Sequence, residues 1–234
     1  MQVEERRNYY EEKTILDFRR MAVEGEKIVY LTGYDYLTAK YEERAGVDMI
    51  LVGDSLGNVI LGYDSTYPVT MEDMMLHCKA VRRGAPNTFI VGDMPFMSYQ
   101  VSDEEAVINA GRLCKEARVD CVKLEGITDS CISRVKAIND AGMLVMGHIG
   151  LTPQFGAQMG GNKAQGKSCE AALKLVEAAK KTGRGRSVLD LSRRSSCGGG
   201  KGHHRTSKYS HSRDWSGVLY PRTALDLCGH GRIF

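Results

Sequence analysis

Four apolar runs of strand length in this chain end in residues that can do chemistry. Met49-Ile50-Leu51-Val52 runs into Gly53-Asp54-Ser55-Leu56-Gly57, and Thr88-Phe89-Ile90-Val91 into Gly92-Asp93-Met94-Pro95. Asp120-Cys121-Val122-Lys123-Leu124 runs into Glu125-Gly126, and Met143-Leu144-Val145-Met146 into Gly147-His148-Ile149-Gly150. Three carboxylates, a lysine, a histidine and the Ser55 hydroxyl therefore fall at the ends of candidate strands, where α/β folds place their ligands. If the sheet curls into a barrel, all of them meet at one mouth. Asp54, Asp93 and Glu125 would repel one another there unless a cation sat among them. Hard oxygen donors without cysteine point to Mg²⁺ rather than zinc. Lys123 in the same mouth could hold an anionic substrate such as a carboxylate. Taken singly, each residue has a plain reading: a capped loop aspartate, a solvated lysine, a satisfied histidine. Convergence at four successive strand ends is what favours a site. Met94, Met97 and Met146 read as packing.

The elements that must position these groups alternate. Thr14 opens a short amphipathic helix with Ile15, Phe18 and Met21 on its apolar face and Gly25 as its stop. Ile28–Thr32 reads as a strand, and Gly33-Tyr34-Asp35 turns into a helix through Tyr41 to Ala45. After the Met49–Val52 strand comes a loop with Pro68. Thr70-Met71-Glu72-Asp73 then caps a helix reaching Arg83-Gly84. Ser102-Asp103-Glu104-Glu105 is the pattern of a full capping box for a helix ending near Ala117. A further helix runs from Asp129 to Ala141-Gly142, and Ser168 caps one over Ala171–Lys181 that stops at Gly183. The strands are unalternated, as in parallel sheets covered on both faces. Strand and helix alternating with short connections argue for a parallel α/β fold. A closed (β/α)₈ barrel takes eight units and about 250 residues. This chain supplies five clear units and one more helix.

Composition bounds the answer. The 234 residues are 42% hydrophobic, enough for one large domain or two small ones. Mean hydropathy is −0.31, and no apolar run approaches the ~18 residues of a membrane span. Met1-Gln2-Val3-Glu4-Glu5-Arg6-Arg7 lacks the apolar core of a secretory signal and is too acidic for a transit peptide. Seven cysteines without paired spacing suit reduced thiols. The expected compartment is the cytoplasm, with mitochondria left open. The net charge of +3 hides a split: residues 184–234 hold ten Lys/Arg against three acids, +7, which leaves −4 for the rest. The division expected is an extension over 1–13, a partial barrel domain over 14–183, and a disordered tail over 184–234.

The order of motifs resembles the ketopantoate hydroxymethyltransferase family. The stretches that carry the resemblance are Leu31-Thr32-Gly33-Tyr34-Asp35-Tyr36, Ile50 to Gly57, Leu61-Gly62-Tyr63-Asp64-Ser65-Thr66 and Pro68-Val69-Thr70. They continue with Gly92-Asp93-Met94-Pro95-Phe96, Ser98-Tyr99-Gln100, Val122-Lys123-Leu124-Glu125-Gly126, Val145 to Gln154 and Gly160 to Gly166. Asn162 departs from the aromatic residue the family has there. The resemblance implies a TIM barrel assembled into a homo-oligomer, a decamer in the family. It implies Mg²⁺ near Asp54 and Asp93, with Glu125 in the metal's outer environment. Asp54, Ser55, Asp93 and Lys123 would hold a keto-acid, with His148 close by. The reaction implied moves a one-carbon unit from 5,10-methylenetetrahydrofolate to 3-methyl-2-oxobutanoate.

After Gly183 the resemblance stops. The family continues with a strand ending in a Glu, its catalytic base, then Val-Pro-Ala-Glu and Ile-Pro-Thr-Ile-Gly-Ile-Gly-Ala-Gly. None of these is present, and Asp190 and Asp226 lie in the wrong context to replace the base. Read one nucleotide out of frame, Lys208 to Val218 admits Ser-Ile-Pro-Thr-Val-Gly-Ile-Gly-Ala-Gly, and Arg194 to Gly199 admits Val-Pro-Ala-Glu. The tail is therefore expected to be a frame-shifted remnant, non-native to a barrel truncated after about five βα units and one helix. No catalytic residue is expected to be retained. Three rival readings stand beside this one. Mg²⁺-dependent barrels of the phosphoenolpyruvate mutase and isocitrate lyase group share the strand-end carboxylates, but they would be expected to carry a loop cysteine. The loop after His148 has none before Cys169. The basic tail could bind nucleic acid through Arg193-Arg194 and Lys201 to Arg205, although aromatic residues are sparse there. Cys197, His203, His204 and His211 could ligate zinc, but they lack a paired second Cys at finger spacing.

Overall fold

The computed structural model describes residues 12–161, Glu170 and Leu173, and the segments Leu189–Arg193 and Val218–Pro221. Helix α1, Ile15–Glu24, is followed by β1, Tyr30–Thr32; α2, Tyr36–Arg44; β2, Met49–Val52; and the single turn α3, Leu56–Val59. Then come α4, Met71–Gly84; β3, Phe89–Asp93; α5, Asp103–Glu116; β4, Cys121–Glu125; α6, Asp129–Asp140; and β5, Leu144–Gly150. A 3₁₀ turn, Pro153–Phe155, and the strands β6, Leu189–Arg193, and β7, Val218–Pro221, complete the order. The sheet runs β1-β2-β3-β4-β5-β6-β7. Strands β1 to β6 are parallel and β7 turns back antiparallel on β6.

Period-2 alternation sorts the strand residues into two cores. Ile50, Val52, Ile90, Val122, Leu124 and Val145 face outward onto helix residues such as Ala39, Met74, Cys78, Val81, Leu113 and Ile138. Met49, Leu51, Phe89, Val91, Cys121 and Met146 face inward, where Phe18 and Met21 of α1 join them. The Phe18 and Phe89 rings meet edge to face with centroids 5.1 Å apart. Phe89 opens β3, so α1 plugs the N-terminal end of the strands. Polar groups are left to the opposite end, where the strands finish.

The helices start where the sequence puts their caps. Asp35 accepts N–H groups of Leu37 and Thr38 at 2.8 and 2.9 Å. Thr70 and Asp73 form a reciprocal box, Asp73 N–H to Thr70 Oγ1 at 3.1 Å and Thr70 N–H to Asp73 Oδ2 at 2.9 Å. The box expected at Ser102 forms in one direction, with Ser102 Oγ accepting Glu105 N–H at 3.1 Å. The segment expected to be a plain loop after Asp54 begins with α3, because Ser55 enters the right-handed region at φ −57° and starts a turn.

Two findings bear on the tail. Within the stretch 184–234 expected to be a disordered tail, the backbone of Leu189–Arg193 takes the sixth position of the sheet, with Leu191 opposite His148. An open edge of β5 offers a row of unpaired backbone groups, and an alternating Leu-Asp-Leu-Ser segment can fill it. The antiparallel β7 departs from the βα pattern. Of the helix expected over Ala171–Lys181 only Leu173 is described, and it is helical; the candidate zinc residues Cys197, His203, His204 and His211, and Asp226, lie outside the described residues. No helix among the described residues is long and apolar enough to cross a membrane.

Candidate active site at the strand ends

The strand-end residues come together as their register demands. Asp93 ends β3 opposite Lys123 in β4, and Glu125 ends β4 opposite His148 in β5. Lys123 and Glu125 are two apart, so they share the inward face. Asp54 follows β2, and Ser55 stands at the start of α3. All six side chains are buried, between 2 and 5% exposed.

Their contacts form a chain. Lys123 Nζ lies 2.6 Å from Asp93 Oδ1 and 3.7 Å from Glu125 Oε1. The backbone N–H of Asp54 donates to Asp93 Oδ2 at 3.0 Å. His148 Nδ1 lies 2.8 Å from Glu125 Oε1, and Gln154 N–H donates to Glu125 Oε2 at 2.9 Å. Both oxygens of Glu125 are thus engaged, and the Lys123 ammonium approaches both Asp93 and Glu125. Ser55 Oγ pairs with the Tyr34 hydroxyl at 2.8 Å. Among the described residues, no three His, Cys, Asp or Glu side chains stand together as a ready metal-binding group.

The electrostatics follow from burial. Desolvation, reinforced by Asp93 and Glu125, pushes the Asp54 carboxyl up to about 8 against the opposing pull of Lys123 and Gln154. Burial also raises Asp93, although Lys123 works the other way. Burial disfavours the Lys123 ammonium, but Asp93, Glu125 and Asp54 together hold its pKa above the ordinary value. Burial opposes the Glu125 anion too; contacts from His148, Lys123 and the Gln154 N–H outweigh it and hold Glu125 low. Burial, helped by Lys123, lowers His148, which is therefore neutral at pH 7. Its Nδ1–H then donates to Glu125, and the lone pair of Nε2, buried and without a hydrogen-bond partner, is left for a ligand. With all three carboxyls ionised the single Lys123 ammonium leaves a negative excess, so the donor set has room for a divalent cation once the Asp54 proton is displaced.

Three further residues belong to the site and were given no role from sequence. Gln154, 3% exposed, bridges Asp54, Met94 and Glu125. Tyr99, fully buried, places its hydroxyl 2.7 Å from Gln154 Oε1 and 3.1 Å from the Glu125 carbonyl. Tyr34 holds Ser55. All three lie in motif stretches already singled out, which was the only signal.

A parallel sheet plugged at one end, with buried carboxylates and a lysine at the other, defines an α/β barrel-type protein with a strand-end site. Solved structures agree at the level of fold. A phosphonopyruvate hydrolase superposes with a TM-score of 0.60 at 11% identity, covering 80% of this chain and 64% of that one. A 2,3-dimethylmalate lyase, a member of the PEP mutase/isocitrate lyase superfamily, superposes with a TM-score of 0.55 at 15% identity, covering 76% and 62%.

Sequence comparison is more specific. Residues 12–189 match the model of the ketopantoate hydroxymethyltransferase family, and the chain belongs to that family. It is 60% identical over 167 residues to the 3-methyl-2-oxobutanoate hydroxymethyltransferase of Alkaliphilus metalliredigens, covering 71% of this chain and 59% of that protein. It is 59% identical over 168 residues to the protein of the same name from a Geobacillus species, covering 72% and 60%. The chain thus spans about three-fifths of the length of the curated relatives it matches.

Proposed function

We propose that this site holds 3-methyl-2-oxobutanoate beside a divalent cation, as the substrate half of a hydroxymethyltransferase. The whole reaction combines the keto-acid, 5,10-methylenetetrahydrofolate and water into 2-dehydropantoate and tetrahydrofolate. The observation that carries the reading is the convergence of Asp54, Ser55, Asp93, Lys123 and His148 within a segment so similar to proteins of that name.

A cation fits the donor set on charge: hard oxygens exceed the buried positive charge, which suits Mg²⁺. Asp54 and Asp93 would hold it, with water or the keto-acid filling the remaining positions. Glu125, spent on His148 and Gln154, would stand one layer behind. When bound, the metal would supply positive charge that acidifies the C–H next to the ketone. Lys123 would meet the substrate carboxylate. Ser55 Oγ, accepting from the Tyr34 hydroxyl, would donate to a substrate oxygen. His148 Nε2 would accept a hydrogen bond from the hydroxyl of the hydroxymethylated product, since the keto-acid itself offers no donor.

Proton abstraction is another matter. The sequence has no counterpart of the Glu that the family places at the end of the sixth strand, where this chain has Ser192-Arg193. We expect binding without turnover. Isothermal titration of 3-methyl-2-oxobutanoate into the purified 234-residue chain should show Mg²⁺-dependent binding that Asp93→Asn abolishes. A proton NMR assay with 5,10-methylenetetrahydrofolate should show no 2-dehydropantoate. Product formation would refute the loss of the base, and no binding in Mg²⁺ would refute the site.

A further inference from the structure

Gln154 sits in the 3₁₀ turn after β5 and spends its side-chain amide and its backbone N–H on the site. Its carboxamide Nε2 donates to Asp54 Oδ2 at 2.9 Å and to the Met94 carbonyl at 3.0 Å. Its Oε1 accepts Gln100 Nε2 at 3.2 Å and lies 2.7 Å from the Tyr99 hydroxyl. Its backbone N–H donates to Glu125 Oε2 at 2.9 Å. One residue on β5's exit, through its side chain and its backbone N–H, thus ties down the ends of β2, β3 and β4.

The direction of the amide is determined. Turned over, its oxygen would face a carboxylate oxygen and a carbonyl, and its NH₂ would face the Gln100 amide donor. Tyr99 adds to the bias. Its hydroxyl accepts the Glu125 N–H at 3.2 Å, so its single proton goes either to the Glu125 carbonyl at 3.1 Å or to Gln154 Oε1 at 2.7 Å. The shorter contact is to Gln154. Tyr99 touches neither Asp54 nor Asp93 by any hydrogen bond, yet through Gln154 it decides which way the donor on Asp54 points.

The chemistry of the contact also matters. A lysine at this place would neutralise Asp54 and compete with a cation. A neutral amide fixes one carboxylate oxygen and leaves the charge in place, so the other oxygen can still serve a ligand. A buried polar cluster this complete is costly unless every member is satisfied, and here each donor of Gln154 has an acceptor.

We propose that Gln154 is the positioning residue of the site: its amide orients the Asp54 carboxylate, and its backbone N–H the Glu125 carboxylate, for a divalent cation, with Tyr99 setting the direction of the amide. The proposal rests on the cation-and-keto-acid reading above. Groups that orient metal ligands typically change metal affinity by about ten- to a hundredfold when removed.

The test uses Mn²⁺ as the probe. Loss of the six-line electron paramagnetic resonance signal of free Mn²⁺ reports binding to the 234-residue chain. Gln154→Ala should weaken Mn²⁺ binding at least about tenfold. Tyr99→Phe should weaken it by a smaller factor, about threefold. The double variant should be no weaker than Gln154→Ala, because Tyr99 acts through Gln154. Thermal unfolding without metal checks that each variant folds; if Gln154→Ala does not, a folded Tyr99→Phe with weakened binding carries the test. A folded Gln154→Ala that binds within twofold of the parent overturns the proposal, as does full additivity of the two changes. If the parent itself binds no Mn²⁺, the cation reading falls and this proposal with it. Parental binding that the variants leave intact sinks the positioning role alone.

Discussion

Asp54→Asn in the metal-stripped protein isolates the cost of the buried carboxylates. The Asp54 carboxyl is raised from 3.8 to about 8, mainly by desolvation and then by Asp93 and Glu125. Between those two values the folded state binds a proton that the unfolded chain has released. Stability must therefore fall as pH rises from about 4 to about 8, and level off above. At about 1.4 kcal/mol per unit, the four-unit interval sets a ceiling of about 6 kcal/mol. Relaxation and water entry reduce such penalties to several kcal/mol or less, so a measured slope worth about 2–3 kcal/mol is the expectation. Asp54→Asn keeps an acceptor for Gln154 Nε2 and removes the titration. In urea unfolding with EDTA, the variant should match the parent at pH 4 and exceed it by about 2–3 kcal/mol at pH 8. Mg²⁺ at pH 8 should raise the parent's midpoint and leave that of the variant unmoved. A variant less stable than the parent at pH 8 without metal would refute the argument, since it would mean the carboxylate is stabilised where it lies.

Two structural predictions probe what holds the strand ends in place. Arg82, 7% exposed, donates to the carbonyls of Arg118, Pro86 and Thr88 at 2.8, 3.2 and 3.1 Å and pairs with Asp120. Arg82→Lys keeps the charge but cannot fork, and urea unfolding should show a loss of about 2–4 kcal/mol; a loss under about 0.5 kcal/mol would refute the role. Gly84 lies where α4 crosses α2, and a Cβ there would sit 2.3 Å from the Tyr36 carbonyl oxygen. Gly84→Ala should force the helices apart and cost about 1–3 kcal/mol, read as a lower unfolding midpoint; an unchanged midpoint would show that the crossing is loose.

What could be read from sequence was what is local. The strand ends at Asp54, Asp93, Glu125 and His148 were legible because apolar runs break sharply there, and Thr70 and Ser102 because capping is a matter of three or four residues. The pairing of Asp93 with Lys123 was not legible, because it depends on register between β3 and β4. Nor was Gln154 given a role: its bonds reach 29 residues back to Glu125 and 100 back to Asp54, and a side-chain amide leaves no periodic trace. The turn α3 was hidden because Leu56-Gly57-Asn58-Val59 is too short to show a helical period. Strand β6 was missed for another reason. Its segment carries none of the family's motifs, and its short alternation becomes a strand only beside an open neighbouring edge.

The site is divided along the chain. The groups proposed to hold a substrate come from β2 to β5 and the turn after them, so Asp54 through Gln154 form a continuous block that the family match covers. The group that moves the proton comes, by the resemblance, from the end of the sixth strand. Here the sixth strand is supplied by backbone alone: it pairs with β5, but its last residues are Ser192 and Arg193. Sheet pairing tolerates many sequences because its hydrogen bonds are made by the main chain, whereas a general base needs one carboxylate at one place. A strand can therefore be replaced without the chemistry it carried. On this argument keto-acid binding and turnover are separable properties, and a chain that keeps Asp54 to Gln154 intact should retain the first while lacking the second.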